Sequence, residues 1–469
     1  QAEDGIRDLV RSRGLGDVYK RQVVSPIEGS PASRSGIYTG DAIMNIDGEP
    51  TSGLELKDAT SKIRGKAGTE VILTIKKPNT GEVQDYSIIR DVITIKDIPF
   101  YGMVNDNVGY LRITNFSVNT ANETKDALIS LMQNGASNVI IDLRDNPGGL
   151  LSSSLDLLDL ILPKNLELVS TKGRAGKSIK NYKTLNNALI PDTINMAVLI
   201  NGASASASEI VAGVLQDYDR AIVLGSQSFG KGLVQTVIGI NQETALKITN
   251  SKYYIPSGRS LQKREFIDDE LIANSSAVAD TLFQTKAGRT VIGGGGIGPD
   301  VIVKDEGSYP LAASILRSRG YFKFVQENNN QYSSIDEVLA DEELMVKFKA
   351  FIEKNDISGY VDGQEDLKLA KEKLSKKEEK NLFINNAFSV IEKQIEKTQS
   401  TMFEDEKEII QRMVHGEFAF YYNGYEGRYN IYLKDDTVVQ KAIEIFADES
   451  QYLSILSNTE STEVASLNN

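Results

Sequence analysis

Residues 196–218 read MAVLINGASASASEIVAGVLQDY, which is an apolar run, a loop of small residues and a helical pattern in succession. The run at 196–200 has no polar interruption, as in strands that are buried on both faces of a parallel sheet. The apolar spacing over 208–218 predicts a helix. A strand that passes through a short loop into a helix is the repeating unit of an α/β protein.

The same alternation of strand and helix patterns continues over residues 96–305. Strands are predicted at 108–113, 139–143 and 221–224, and helices at 122–133 and 150–162. We therefore expect an α/β core with a mainly parallel sheet as the central domain. In such sheets ligands bind beyond the carboxyl ends of the strands, so candidate sites are sought there.

Residues 23–95 predict a separate, small β-rich module. Apolar stretches indicate a strand at 23–27, a turn and strand over 40–46, and a short amphipathic helix at 54–64. Alternating apolar residues then predict a hairpin over 70–89, with a Pro-Asn-Thr-Gly turn in its middle.

Residues 1–22 are polar and rich in turn-forming residues, without a clear period. The sequence DVYKRQ at 17–22 matches the translation of an adapter used to prepare sequencing libraries. We interpret the segment as an adapter-derived artefact that takes no part in the fold. A genuine basic amino-terminal arm is the alternative. On the first interpretation the native amino terminus is missing, and the lack of a signal peptide says nothing about compartment.

Residues 306–469 differ in character, because strand patterns largely stop. Long charged amphipathic helices are predicted at 335–355 and 367–398, and the charge run at 371–380 indicates a solvated helix face. Residues 402–446 mix helical patterns with a tyrosine-rich stretch, which favours packing over a binding role. The sequence therefore predicts a mainly helical carboxyl-terminal extension, without a residue-level role.

The side-chain inventory of the 469 residues narrows the chemistry that this chain can perform. There is no cysteine and a single histidine, His415. Thiol catalysis, disulfides and cysteine-ligated zinc are excluded, and histidine triads or histidine-rich metal sites nearly so. A net charge of −13 argues against nucleic-acid and anionic-membrane partners. No stretch approaches the ~18 apolar residues of a membrane span. Hydroxyls, carboxylates and lysines must therefore carry any catalysis.

The run NGASASASEI at 201–210 is the first candidate site. Small residues let a backbone approach a ligand closely, and the amino terminus of a helix offers free N–H groups to developing negative charge. A serine in this run is well placed as a nucleophile. Taken alone the pattern is weak, because a serine at a helix start is usually a cap.

Its candidate partner is Lys231, in the sequence SQSFGKG at 226–232 just past a predicted strand. Residues 225–231 also fit the start of a phosphate-binding loop, G-x-x-x-x-G-K. That alternative lacks the hydroxyl residue after the lysine, where Gly232 stands, and a strand-like stretch follows instead of a helix. Nucleotide binding is therefore the poorer second interpretation.

A serine hydrolase without a usable histidine needs another base, and lysine takes that place in Ser–Lys enzymes. A lysine accepts a proton only when it is neutral, and burial away from carboxylates favours the neutral form. Lys231 is flanked by glycines and apolar residues, with no acid nearby in sequence. This pattern predicts an amine that is shielded from water. An ordinary surface lysine is the alternative.

The stretch DLRDNPGG at 142–149 ends another predicted buried strand. Its glycines are candidates to present backbone N–H groups as an oxyanion hole. A Pro-Gly turn with a structural Asp–Arg pair is the alternative. The glycine-rich run at 293–298 indicates a turn without a dinucleotide-binding fingerprint, because a strand follows it.

Together, the segments DLRDNPGG, NGASASASEI, SFGKGLVQT, YYIPSGRSLQ and GIGPDV resemble the motifs of the carboxyl-terminal processing peptidases. These enzymes, also called tail-specific proteases, are Ser–Lys endopeptidases that carry a PDZ domain. The resemblance covers roughly residues 23–303. It implies that Ser206 is the nucleophile, that Lys231 is the base, and that Gln235 hydrogen-bonds and orients the lysine amine.

The resemblance also implies an oxyanion hole formed by the amides of Ala207 and Gly149, or Gly148 in its place. Asp217 and Glu209 occupy acidic positions to which supporting roles are sometimes assigned. No metal or cofactor is implied. The implied partners are protein or peptide substrates with exposed carboxyl termini, and a second copy in a homodimer. The implied compartment is the bacterial periplasm or cell envelope.

Residues 23–95 resemble a PDZ domain entered part-way. PDZ domains add a peptide strand to a sheet edge and capture its terminal carboxylate in a backbone nest. The strand and glycine-containing loop that form this nest are expected before Val23, where residues 1–22 stand. A catalytically idle peptide-binding scaffold therefore stays open as an alternative to a working protease.

Overall fold

A computed structural model of the chain describes residues 23, 26–27, 30–38, 40–77, 81–93, 95–173, 178–241, 244–262, 266–267, 270–271, 281–303, 309–375 and 382–457. The chain divides into two compact units. The first comprises Gln1–Ile95 and Gly307–Tyr432, and the second comprises Lys96–Glu306 and Leu433–Asn469. The suspected artefact at 1–22 lies outside the described residues.

The elements follow one another along the chain in three groups. The first group is α1 Pro31–Arg34, β1 Ala42–Ile46, β2 Glu49–Pro50, α2 Leu56–Ile63, β3 Glu70–Lys76 and β4 Val83–Ile89. The second is β5 Phe100–Met103, β6 Val108–Arg112, α3 Thr120–Gln133, β7 Asn138–Asp142, α4 Leu151–Ile161, β8 Glu167–Gly173, β9 Ser178–Lys183, β10 Asn195–Ile200, α5 Ala207–Asp217, β11 Ile222–Gly225, β12 Leu233–Gly239, β13 Ala245–Tyr254, β14 Phe266–Ile267, β15 Glu270–Leu271, β16 Thr281–Gln284, β17 Thr290–Gly293 and β18 Val301–Ile302. The third is α6 Pro310–Arg317, α7 Gly320–Asn328, α8 Ile335–Leu339, α9 Leu344–Lys354, α10 Gln364–Ser375, α11 Leu382–Asp405, α12 Lys407–Tyr432, α13 Thr437–Ala447 and α14 Glu449–Ser457.

The amino-terminal module in the first unit is a four-stranded antiparallel sheet in the order β2-β1-β3-β4. Residues along β3 alternate between buried and more exposed, as the sequence predicts for a strand with one solvated face. The predicted strand at 23–27 falls partly outside the described residues. Val23 itself is not in a strand, but its backbone pairs with the amide of Gly40 and the carbonyl of Asp41.

The remaining part of the first unit is helical, α6 to α12, around an aromatic core. Phe324 contacts Phe348 edge-on with ring centroids 4.9 Å apart, and both rings are buried. The Tyr422 hydroxyl donates to backbone carbonyls, as expected if the tyrosine-rich stretch serves packing. The single helix predicted at 335–355 is broken between α8 and α9 by a turn at Asp341, whose carboxylate accepts the Glu343 amide.

The second unit contains a six-stranded sheet in the order β18-β11-β10-β7-β6-β5. Every pairing is parallel except that of the edge strand β5, so the prediction of a mainly parallel sheet is confirmed. All residues of β7 and β11 are buried, which requires cover on both sheet faces. Helices α3–α5 pack side by side, α3 and α5 contact the sheet, and α13 and α14 contact β7, β10 and β11.

A second, antiparallel sheet in this unit has the order β12-β13-β8-β9. The sequence predicted only β12, as the strand-like stretch after Lys231. The other three strands, β8, β9 and β13, are rich in Lys, Thr, Ser and Asn and lack a continuous apolar pattern. Among the described residues, no helix combines the length and apolar character needed to cross a bilayer.

Candidate active site

Ser206 lies where the loop after β10 enters helix α5, and its backbone is strained. Its φ of 57° and ψ of −109° are unusual for a residue with a Cβ. The hydroxyls of Ser204 and Ser208 are buried and donate to the carbonyls of Leu143 and Asn146. The Ser206 side chain is partly exposed, and its hydroxyl donates to no acceptor within the described part of the chain. Of the three serines in the run, Ser206 is therefore the one available to a ligand.

The loop after β7 lies directly against this serine. Its residue Asn146 is fully buried, and its carbonyl accepts both the Ala205 amide at 3.0 Å and the Ser208 hydroxyl at 2.9 Å. Gly148 has a φ of 96°, and a Cβ added there would lie 2.9 Å from the Ser206 Cβ. A larger residue would not fit between the two loops, which explains why residue 148 is glycine.

Two backbone amides beside Ser206 are available to stabilise negative charge. The Gly148 amide is used, because it donates to the Asn146 side chain at 2.9 Å. Within the described residues, the amides of Gly149 and Ala207 donate to no acceptor. Ala207 is also the first residue of α5, where the helix dipole adds positive potential. The geometry therefore favours Gly149 over Gly148 as the oxyanion donor that accompanies Ala207.

Glu209 ties the serine loop to the loop that carries Lys231. Its carboxylate is fully buried and accepts four hydrogen bonds. Oε1 accepts the Ser228 hydroxyl at 2.6 Å and the Gly230 amide at 2.7 Å. Oε2 accepts the Ser206 amide at 2.7 Å and the Lys231 amide at 2.9 Å. One carboxylate oxygen, Oε2, therefore bonds the backbone amides of both Ser206 and Lys231 and holds the two residues close together.

The Lys231 side chain is exposed, so the prediction of a shielded amine is wrong for this structure. Its ammonium has no ion-pair or hydrogen-bond partner in the described residues and forms no hydrogen bond with Ser206. The physical reason lies in the neighbours. Gly232 packs against the backbone of Gln262, whereas Phe229 on the other flank is itself 57% exposed and covers nothing. The flanking apolar residues predicted a local shield that tertiary packing does not provide.

Gln235 does not orient the Lys231 amine, which corrects the role implied by the resemblance. Its side chain is exposed, and its amide is 3.5 Å from the Thr249 hydroxyl on the paired strand β13. The pairing of β12 with β13 shifts register between Val234 and Gln235, which changes the direction of the following side chains.

Asp217 lies at the far end of α5, ten residues beyond Ala207 and about 15 Å along the helix. Its buried carboxylate pairs with Arg259 at 2.8 Å and accepts the Ser257 amide at 2.9 Å. Burial raises the pKa of Asp217, although Arg259 opposes the shift. Asp217 therefore anchors the 255–261 segment and does not contact the serine, in contrast to Glu209.

Asp142 and Arg144, at the start of the glycine loop, form the structural ion pair that the sequence left open as an alternative. Asp142 is fully buried and pairs with Arg144 at 2.6 Å and Arg112 at 2.9 Å. Burial alone would raise the pKa of Asp142, but the two guanidinium groups outweigh it and hold the pKa well below its ordinary value. The ion pair and the candidate oxyanion glycine occupy opposite ends of one loop.

Comparison with known proteins gives three matches along the chain. Residues 107–272 match the family model described as peptidase family S41. This segment of the chain is therefore similar to peptidase family S41. Residues 22–77 match a PDZ domain, and residues 311–446 match the model described as "Probable PDZ-protease, C-terminal helical domain". Four of the five motifs named above fall inside the S41 match.

Curated relatives of this chain carry the names of processing proteases. The carboxy-terminal-processing protease of Bartonella bacilliformis is 42% identical over 245 residues, which is 51% of this chain and 56% of the relative. The carboxyl-terminal-processing protease of a Picosynechococcus species is 36% identical over 255 residues, 54% of this chain and 60% of the relative. The chain thus spans somewhat over half the length of the curated relatives it matches.

Among solved structures, a photosystem II D1 C-terminal processing protease is 24% identical to this chain. The match covers 61% of this chain and 68% of that protein, with a TM-score of 0.36. A likeness of this size decides nothing about the fold or the site.

Two residues of the candidate site were missed by sequence reasoning although both lie inside quoted motifs. Asn146 joins the glycine loop to the serine loop, and the Ser228 hydroxyl accepts the Ile297 amide while donating to Glu209. The sequence signal for both residues was a small polar side chain close to glycines, as in DNPGG and SFGKG. Among the described residues, no group of three or more acidic or histidine side chains could hold a metal ion.

Replacing Glu209 by glutamine is expected to destabilise the second unit by about 2–4 kcal/mol. The amide nitrogen of glutamine cannot accept, so two of the four buried donors that face Glu209 lose their acceptor. Urea unfolding monitored by circular dichroism measures the change. Glu167→Gln removes the same charge at an exposed glutamate and is expected to stay within about 0.5 kcal/mol of the parent. Equal stability of both variants would contradict the bridging role of Glu209.

Proposed function

We propose that this chain is a serine endopeptidase that cleaves protein substrates near their carboxyl termini. The observation that carries the proposal is the arrangement around Ser206. Its hydroxyl is available at a helix amino terminus, two backbone amides beside it have no acceptor among the described residues, and Glu209 fixes the Lys231 backbone next to it. A nucleophile, oxyanion donors and a base at one point are the parts that acyl transfer needs.

The proposed reaction runs through an acyl-enzyme. The Ser206 oxygen attacks the scissile carbonyl, and the neutral Lys231 amine takes the hydroxyl proton. The amides of Gly149 and Ala207 hold the oxyanion of the tetrahedral intermediate. The lysine ammonium then returns the proton to the leaving amine as the C–N bond breaks. A water molecule, deprotonated by the same amine, hydrolyses the ester and frees the new carboxyl terminus. No metal or cofactor takes part.

The exposed Lys231 side chain must turn towards Ser206 for the proton transfer. Glu209 already holds the two backbones close together, so a change of side-chain rotamer is the smallest movement that closes the dyad. A bound polypeptide would also exclude water from the amine, which favours its neutral form. Substrate binding is therefore proposed to complete the base.

Substrate recognition is proposed to involve the PDZ module. The match at 22–77 supports this, because PDZ domains bind peptide carboxyl termini by strand addition. The proposed partners are accordingly proteins or peptides with exposed carboxyl termini. A second copy of the chain in a homodimer is proposed separately, from the resemblance in sequence. The bacterial periplasm or cell envelope is the proposed compartment.

The test is cleavage by the full chain of an unfolded protein and of quenched-fluorescence peptides that differ only in a free or amidated carboxyl terminus. We expect cleavage products and covalent labelling of Ser206 by a fluorophosphonate, with the free-carboxylate peptide cut faster. Peptide binding without cleavage or labelling would instead support the idle scaffold.

The nucleotide-binding alternative is tested by thermal unfolding with ATP and magnesium. The described strand β12, Leu233–Gly239, follows Lys231 where a phosphate-binding loop needs a helix. No rise in melting temperature is therefore expected, and a rise would favour that alternative.

A further inference from the structure

The last two described helices are part of the second unit, although about 130 residues separate them from its other elements. Helix α13 contacts β7, β10 and β11, and α14 contacts β11. The buried Tyr452 hydroxyl accepts the Met196 amide at 2.9 Å and donates to the Met196 carbonyl at 3.2 Å, at the start of β10. The strand that leads to Ser206 is thus covered by the carboxyl-terminal part of the chain.

Asp436 connects α13 to the glycine loop. As the residue before the helix, it accepts the amides of Val438 and Val439 at 3.0 Å each. The same carboxylate receives two parallel hydrogen bonds from Arg144, at 3.1 Å from Nη1 and 2.8 Å from Nη2. The side chains of Asp436 and Arg144 are 19% and 17% exposed, so water weakens this pair little.

Arg144 connects Asp436 to the loop that ends at Gly149. Its Nε and Nη2 also bond the Asp142 carboxylate, at 3.0 and 2.6 Å, and its amide donates to the same carboxylate at 2.9 Å. Asp142 in turn pairs with Arg112, which also contacts Asp145 in the loop at 3.2 Å, so the cluster joins three acids and two arginines. On its other side the loop is held by Asn146, whose side chain accepts the Gly148 amide.

From these contacts we infer that Asp436 is a positioning residue for the oxyanion loop. It holds Arg144, Arg144 holds the beginning of the loop through Asp142, and the Gly149 amide lies at the loop's end. Without the Asp436 charge, Arg144 keeps a single acidic partner and the loop gains freedom at the point where the oxyanion donor must be fixed. The inference rests on the proposed peptidase activity.

The test is the variant Asp436→Asn in the full chain. Asparagine caps a helix as well as aspartate does, so α13 keeps its start, whereas the charge that faces Arg144 is lost. We expect kcat for peptide cleavage to fall about tenfold with KM nearly unchanged, because a misplaced oxyanion donor weakens transition-state stabilisation only. Amide hydrogen exchange over 143–149 is expected to accelerate, while exchange in α5 stays as in the parent.

Glu444→Gln is the matched control, because it removes one charge from an exposed side chain of the same helix. It is expected to leave kcat and exchange unchanged. If the parent cleaves peptides and Asp436→Asn retains full kcat and parental exchange, the inference is overturned. If the parent itself cleaves nothing, the proposed function fails, and the exchange measurement still decides whether Asp436 restrains the loop.

Discussion

Replacing Ser206 by alanine is expected to lower kcat for peptide cleavage by at least ~10⁴-fold, because the nucleophile of the acyl-enzyme is lost. The fold should be retained, since the hydroxyl donates to no acceptor among the described residues and at most one cap interaction of α5, with the Glu209 amide, is lost. Melting temperatures of the variant and the parent are therefore expected to agree within a few degrees. Fluorophosphonate labelling should disappear together with cleavage.

The neighbouring serines offer a matched control. Ser204→Ala deletes a buried hydroxyl that donates to the Leu143 carbonyl and accepts the Asn201 amide. In contrast to Ser206→Ala, Ser204→Ala is expected to lower the free energy of unfolding by about 1–3 kcal/mol and to retain measurable cleavage. Full cleavage by Ser206→Ala would remove Ser206 from the mechanism, whatever the behaviour of Ser204→Ala.

Ser206→Gly refines the same experiment. Its positive φ of 57° costs a residue with a Cβ roughly 1 kcal/mol, whereas glycine adopts it freely. The glycine variant is therefore expected to be as inactive as the alanine variant but more stable. That difference would show that the strained backbone at residue 206, which places the serine side chain at the helix start, lowers the stability of the protein.

The serine loop could be predicted from sequence because its signals are local. An apolar run, a stretch of small residues and a helical spacing each depend on near neighbours, and the structure places β10, the loop and α5 within one residue of the predicted bounds. The glycine loop after β7 was predicted for the same reason. Its choice between Gly148 and Gly149 was not, because it depends on whether Asn146 takes the Gly148 amide.

The parts that escaped prediction depend on contacts between distant residues. The Asp436–Arg144 pair joins positions 292 residues apart, and no spacing in the sequence marks it. The exposure of Lys231 is likewise set by what packs over it, not by its apolar flanks. Strands β8, β9 and β13 of the antiparallel sheet were missed because they carry many polar residues.

Replacing Lys231 is the second change with a large expected effect. Lys231→Ala should lower kcat by about 10²–10⁴-fold, the usual contribution of a general base. Lys231→Arg should lose as much, because a guanidinium keeps its proton at every pH used and cannot act as a base. The side chain is exposed and has no partner within the described residues, so neither variant should change the melting temperature by more than a degree or two.

Lys247→Ala, at an exposed lysine on the strand paired with β12, is the control for loss of one positive charge and should cleave normally.

The pH dependence of kcat/KM distinguishes a lysine that accepts a proton from one that acts only through its positive charge. An amine that accepts the serine proton works only when deprotonated, so kcat/KM of the parent is expected to rise with pH through the titration of that amine. The residual activity of Lys231→Arg should lack this rise. A parent profile that is flat from acid to alkaline pH, or full activity in Lys231→Arg, would contradict the role of Lys231 as the base.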